Sequence, residues 1–147
     1  MKRLFATFAL TLLGLSAFGA TRNERAELEA VYRGMARAFA SKDIHGYTAC
    51  WVPAIRWFPP RSSATTALTK GKAELLRDLR EEFRHGDKVS RDYGFTSFAA
   101  DPERVTVDLA VSTVHSGPPS VAHIGSERHH WFKAGGRWWL SRIEAIG

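Results

Sequence analysis

RVTVDLAVSTVH, residues 104–115, places Val105, Val107, Leu109 and Val111 at alternate positions, with Thr106, Asp108, Ala110 and Ser112 between them. Side chains of an extended chain point alternately to opposite faces, so this stretch is a strand with one apolar face turned to a core. Asp108 then belongs to the outer face. The same two-residue period continues on both sides, over residues 88–98, 121–133 and 137–146. Asp101-Pro102, Gly117-Pro118-Pro119 and Gly135-Gly136 supply the turns. Connections this short make sequential strands antiparallel neighbours.

Upstream the period changes. Leu28, Val31, Tyr32, Met35, Ala38 and Phe39 recur at three- and four-residue steps, the stripe of a long helix over 22–41. Thr21 and Glu24 fit a capping box at its start. Asp43 caps a short second helix with Ile44, Tyr47 and Trp51 on its inner face and Pro53 as its stop. Ile55–Phe58 is a brief strand, and 59–70 is a loop long enough to act as a lid. A third helix over 72–85 buries Leu75, Leu76, Leu79 and Phe83, with Arg77 and Glu81 spaced to pair outside. Three helices followed by four strands give an α+β domain: a strongly curved, mostly antiparallel sheet packed on helices from the N-terminal half.

The first residues read as an export signal. Lys2 and Arg3 form a basic head, Leu4–Leu15 is an uncharged apolar run, and Ala17 and Gly19 have signal-peptidase spacing. Cleavage is expected after Gly19, with Ala20 as the alternative, releasing a periplasmic or secreted domain of residues 20–147. The apolar run is shorter than the roughly 20 residues that span a bilayer, and no cysteine is near for lipidation, so no stable membrane anchor is expected. Removing Lys2 and Arg3 leaves 19 basic against 15 acidic residues, a net charge of +4. The basic residues are scattered among acids, which argues against a nucleic-acid partner. Cys50 is the only cysteine, so no intramolecular disulfide forms and the core alone holds the fold.

Three segments resemble the nuclear transport factor 2-like superfamily. AFASKDIHGYTACW (38–51) is similar to the end of its first helix, and GKAELLRDLREEF (71–83) to the opening of its third. RHHWFKAGGRWWLSRIEAI (128–146) resembles its final hairpin. The nearest branch is the SnoaL-like group. The resemblance implies a cone-shaped, cystatin-like α+β barrel with a pocket inside, and a homodimer formed through the sheet. It does not imply a reaction, because one fold hosts many chemistries. Ketosteroid isomerisation, the best-known activity, needs a carboxylate base and a Tyr–acid oxyanion pair. Alignment puts Pro59, Met35 and Arg128 at those positions, which excludes it.

Candidate pocket residues are Met35, Phe39, Trp51, Trp57, Tyr93, Arg128, His130 and Phe132. The last three follow from the hairpin alignment, which turns them inward. A slip of one residue would exchange them for their neighbours. His130 is then the candidate general acid or base, since imidazole chemistry operates near neutral pH. His129 and His130 are adjacent in a strand and cannot chelate one metal together. Glu127, His129 and His123 share a face but fall short of a credible ligand set. No metal and no cofactor are expected. Cys50 lacks an activating neighbour and reads as a small hydrophobe. Of the adjacent Trp138 and Trp139, one faces outward, as at a covered surface.

Three functions fit these residues. One is binding of a small apolar molecule in an aromatic-lined pocket. Another is an isomerase-, dehydratase- or hydrolase-type enzyme using His130. The third is an accessory or immunity module acting through the sheet face, its cone filled by Trp57, Phe39 and Tyr93. An open cavity separates the first two from the third.

Overall fold

The computed structural model describes residues 9–61, 68–101 and 103–146, with side chains from Arg22 onward. The signal expected in 1–19 therefore lies outside the residues described in side-chain detail, as does the middle of the 59–70 loop. No described helix is long and apolar enough to cross a membrane.

Helix α1 spans Ala9–Ala40. It is continuous through residue 21, so the helix start expected at Thr21 is not a terminus in this chain. Its end is a Schellman motif. Lys42 takes a left-handed conformation (φ 56°), and Lys42 N and Asp43 N donate back to the carbonyls of Phe39 and Ala38. Asp43 at once caps helix α2 (Ile44–Thr48), its carboxylate accepting from Gly46 N at 3.0 Å. Two helix ends are thus satisfied by six consecutive residues, which fixes the corner between them.

Strand β1 runs Trp51–Phe58, longer than expected. Trp51 opens a strand and does not extend α2. Pro53 is tolerated because the pairing of β1 is interrupted between Trp51 and Arg56, where no ladder N–H is required of it. Helix α3 (Lys72–Arg84) begins where the Glu74 carboxylate accepts from Gly71 N. The Arg77–Glu81 pair does not form. Glu81 instead holds Arg84 and His85, and Arg77 leans to Asp78.

Strands β2 (Lys88–Ala100), β3 (Val105–Ser116), β4 (Val121–Ala134) and β5 (Arg137–Ala145) follow. The sheet order is β1-β5-β4-β3-β2, all antiparallel except the parallel β1–β5 edge pair. Gly135 and Gly136, at φ 59° and 72°, make the two-residue turn whose twist matches the flanking strands. β2 and β5 each carry an irregularity, near Thr96 and Ser141, and such bulges bend a sheet. The bend is strong. Tyr32 of α1 touches Tyr93 and Phe95 on β2 and also His129 and Trp131 on β4, although β3 lies between those strands. The protein is therefore α+β, with the sheet curled around α1 into a cone.

The core lies on the concave side. Leu28, Tyr32, Met35 and Phe39 pack with Val105, Val107, Leu109, Trp131, Leu140 and Ile143, all buried. Each buried apolar side chain of this size contributes about 1.5–3 kcal/mol.

Candidate functional site

Register decides which side chains of β4 enter the cone. Val105 pairs with Trp131 and Val107 with His129. Because the odd-numbered face of β3 is the core face, the odd residues of β4 are inside with it. Glu127, His129 and Trp131 point inward, while Arg128, His130 and Phe132 lie outside. This reverses the expectation for those three residues. The hairpin alignment fixed the pairing of β4 with β5 but not the face turned to the core. The missing signal sits in the preceding turn. With Val105 opposite Trp131 and His115 opposite Val121, that turn is centred on Pro118, so odd residues pair with odd. His130 is removed from the cone and loses its part as acid or base there.

Inside, the polar groups form a directed chain. Trp131 Nε1–H donates to Tyr32 Oη at 2.8 Å, and Tyr32 O–H lies 2.8 Å from His129 Nδ1. His129 Nε2 lies 2.6 Å from Glu127 Oε2. A carboxylate accepts, so Nε2 carries a proton, and with Nδ1 as an acceptor the phenol donates to the ring. Burial by itself would raise the Glu127 pKa. The His129 hydrogen bond, then the His129 charge and the nearby positive charge of Arg91, outweigh it and hold the carboxyl below its usual range. Burial pushes the Tyr32 phenol well above its ordinary value, so it serves as a neutral donor.

A second network meets the first. Arg91 on β2 donates to both Glu82 oxygens (2.9 and 3.0 Å), to Tyr47 Oη (2.9 Å) and to Thr113 Oγ1 (2.8 Å). Tyr47 and Tyr93 share a 2.6 Å hydrogen bond, and burial raises the pKa of each. His115 approaches Glu82 at 3.3 Å from the far side. Burial works against the Arg91 charge, but Tyr47, Tyr93 and Glu82 more than compensate and keep it protonated.

Both networks border one cavity of about 250 Å³. Met35, Trp51, Trp57, Leu75, Leu140 and Ile143 form its apolar wall, and Lys70, Asp78, Glu82, Arg91, Glu127 and His129 its polar side. The Glu127 side chain is 30 % exposed although protein surrounds it, as expected of a group opening into a concavity. Among the described residues its Oε1 has no hydrogen-bond partner. Larger grooves lie on the outside, one of about 770 Å³ between α1, α2 and the β4–β5 hairpin. Tyr47, Arg91, Glu127 and His129 converge on the smaller, internal space, which is why it is the candidate site.

Of the expected pocket residues, Met35, Trp51 and Trp57 border the cavity. Phe39 is buried behind it, under the Arg91 guanidinium at 4.3 Å, and Tyr93 stands behind Tyr47. On the outer face, Arg128 makes a two-pronged pair with Asp108 (2.7 and 2.9 Å). His130 Nε2 lies 2.7 Å from Glu144, which also accepts from Arg142. Phe132 borders an outer groove with His130 and Arg104. Sequence reasoning missed Arg91 and Tyr47. For Arg91 a signal existed, since a lone cation between Val89 and Tyr93 on a core-facing parity needs a buried partner.

His123 is exposed, and no three described His, Cys, Asp or Glu side chains are grouped to hold a metal. Cys50 is half-buried against Met35, and burial raises its thiol to about 11, far from a reactive thiolate. Trp138 is buried, its Nε1–H on Glu27 at 2.7 Å, while Trp139 lies outside beneath Arg137.

No family model matches the chain, and no curated protein matches it. Solved structures do. A nuclear transport factor 2-like protein with a cystatin-like fold from Novosphingobium aromaticivorans is 16 % identical over 96 % of this chain and 91 % of its own, at a TM-score of 0.69. A second protein from that organism, provisionally named a scytalone dehydratase, is 13 % identical over 83 % and 82 %, at 0.68. The association domain of a Caenorhabditis elegans kinase, CaMKII, is 15 % identical over 87 % and 98 %, at 0.66. Identities this low carry architecture and not chemistry. The curled sheet, the order of its elements and these likenesses agree that the chain has the nuclear transport factor 2-like fold.

Proposed function

We propose that this is an exported, small-molecule-binding domain of the SnoaL-like type, with its ligand held in the cavity between β1, α3 and the concave face of β4. The observation that carries the reading is one small space walled by Trp51 and Trp57 and fronted by the Glu127 carboxylate. A filled cone would have favoured an interaction module, but Phe39 and Tyr93 are packed behind the space and leave it open. At about 250 Å³ it lies below the roughly 300–1,000 Å³ of drug-sized sites, so the ligand is about one ring in size. Export rests on the basic head, apolar run and small residues of 1–19. N-terminal sequencing of the protein recovered outside the cytoplasm should begin at Ala20.

A second reading has its own observation. The Trp131–Tyr32–His129 chain ends on Glu127, which borders the cavity and whose other oxygen has no described partner. A carboxylate oriented this way can take a proton from a bound substrate, with His129 as a positioning residue behind it. If the protein is an enzyme, the base is Glu127 in place of His130.

Two tryptophans in the wall make binding directly visible. Single-ring compounds should quench or shift tryptophan emission and raise the melting temperature, since saturation a hundredfold above Kd adds about 2.7 kcal/mol. A diverse single-ring library that changes neither signal would overturn the proposal.

A further inference from the structure

The cavity also has a charge pattern. Among the described residues its lining holds two cations, each engaged by a carboxylate of its own. Lys70 Nζ lies 2.6 Å from Asp78, and Arg91 spans both oxygens of Glu82. Glu127 is left over. Its only described partner is the His129 ring, 2.6 Å away. Three carboxylates thus face two Lys or Arg side chains, and Glu127, without one of its own, keeps an oxygen that has no described partner.

We infer that the ligand is a small organic cation, an ammonium group on one aromatic or cycloalkyl ring, with Glu127 as its counter-ion and the indoles of Trp51 and Trp57 as its walls. This rests on the cavity-binding proposal above. A carboxylate ligand would meet Glu127 in a partly dry site, where like charges repel strongly. A neutral alcohol can give Glu127 one hydrogen bond and no charge, whereas an ammonium gives a charge-assisted bond, roughly twice as strong. Indole faces attract cations as well. The protein already does this at the mouth, where Lys70 Nζ lies 5.3 Å from the centre of the Trp57 ring.

Benzylamine, benzyl alcohol and benzoate share a ring and differ in head-group charge, so they test the inference with shape held constant. Calorimetric titration of the folded chain at pH 7 should rank benzylamine at least tenfold tighter than benzyl alcohol and show no binding of benzoate. In Glu127→Gln, which still accepts from His129, the amine should lose its tenfold advantage and the alcohol should stay within about twofold. Alcohol or acid binding as tightly as the amine overturns the cationic ligand and leaves the cavity proposal standing. Absence of heat and of tryptophan quenching with all three overturns both. If circular dichroism shows Glu127→Gln to be unfolded, the ranking on the natural chain decides alone.

Discussion

His129 and His130 are neighbours on one strand, and each bonds a carboxylate, Glu127 at 2.6 Å and Glu144 at 2.7 Å. By chemistry they are twins. By position they differ, because the His129 side chain is 3 % exposed and that of His130 is 30 % exposed. The inner histidine has protein on both ring nitrogens and stands between a phenol and a carboxylate. The outer one belongs to a ladder of Asp108, Arg128, Glu144 and Arg142 that water can replace. One contact distance therefore describes two very different energies, and burial decides which is large.

The widest separation of the two faces appears at high pH. All three tyrosines of the chain, Tyr32, Tyr47 and Tyr93, are on the inner side, and burial raises each phenol above its ordinary value of 10. A pKa raised on folding means that the stabilisation is whole below about 10 and is lost as pH climbs through the folded values. Phenolate absorbance should stay absent in the folded protein past pH 10 and then appear together with loss of the far-ultraviolet circular dichroism. A phenol ionising while the fold persists would show that the inner face is open to water.

Next comes the pair of histidines. His129→Ala strands the Tyr32 hydroxyl and the Glu127 carboxylate and opens a void, a loss of about 3 kcal/mol. His130→Ala should cost no more than about 1 kcal/mol. Urea unfolding with unchanged slopes would measure both, and equal losses would break the contrast. Tyr32→Phe falls between them at about 1–2 kcal/mol, since Trp131 Nε1 and His129 Nδ1 each lose a partner.

Much of this architecture could be read from residues 104–115 and their turns, because strand period, glycine turns and helix stripes are local signals. The inside of the cone was harder to read. Which face of β4 is buried depends on a partner strand ten or more residues away, and a one-residue difference reverses every side chain. Trp51, Trp57 and Met35 were legible as large apolar groups near the helices. Glu127 was not, since a charged residue is rarely expected inside and becomes tolerable only through partners brought by other elements, and the parity that marks Arg91 does not name its partners. Pro53 misled for a similar reason. It breaks most strands, yet here it occupies the irregular stretch of an edge strand, between Trp51 and Arg56.

The smallest effect probes the outer face. Arg128 is 45 % exposed and Asp108 21 %, and the Arg128 guanidinium holds the Asp108 carboxyl below its usual range. In a monomer such a pair contributes at most about 1 kcal/mol and fades with added salt. Arg128→Ala should therefore lower the melting temperature by a few degrees at most, equally at every protein concentration. If a second copy covers this face, as the homodimer implied by the fold resemblance requires, the same pair becomes buried and its loss leaves Asp108 uncompensated. The loss would then rise to about 3–5 kcal/mol, and melting would depend on concentration. A small, concentration-independent change keeps the outer ladder a solvated surface. A large one makes it an interior of the assembly, and the difference between the two histidines would then shrink in the dimer.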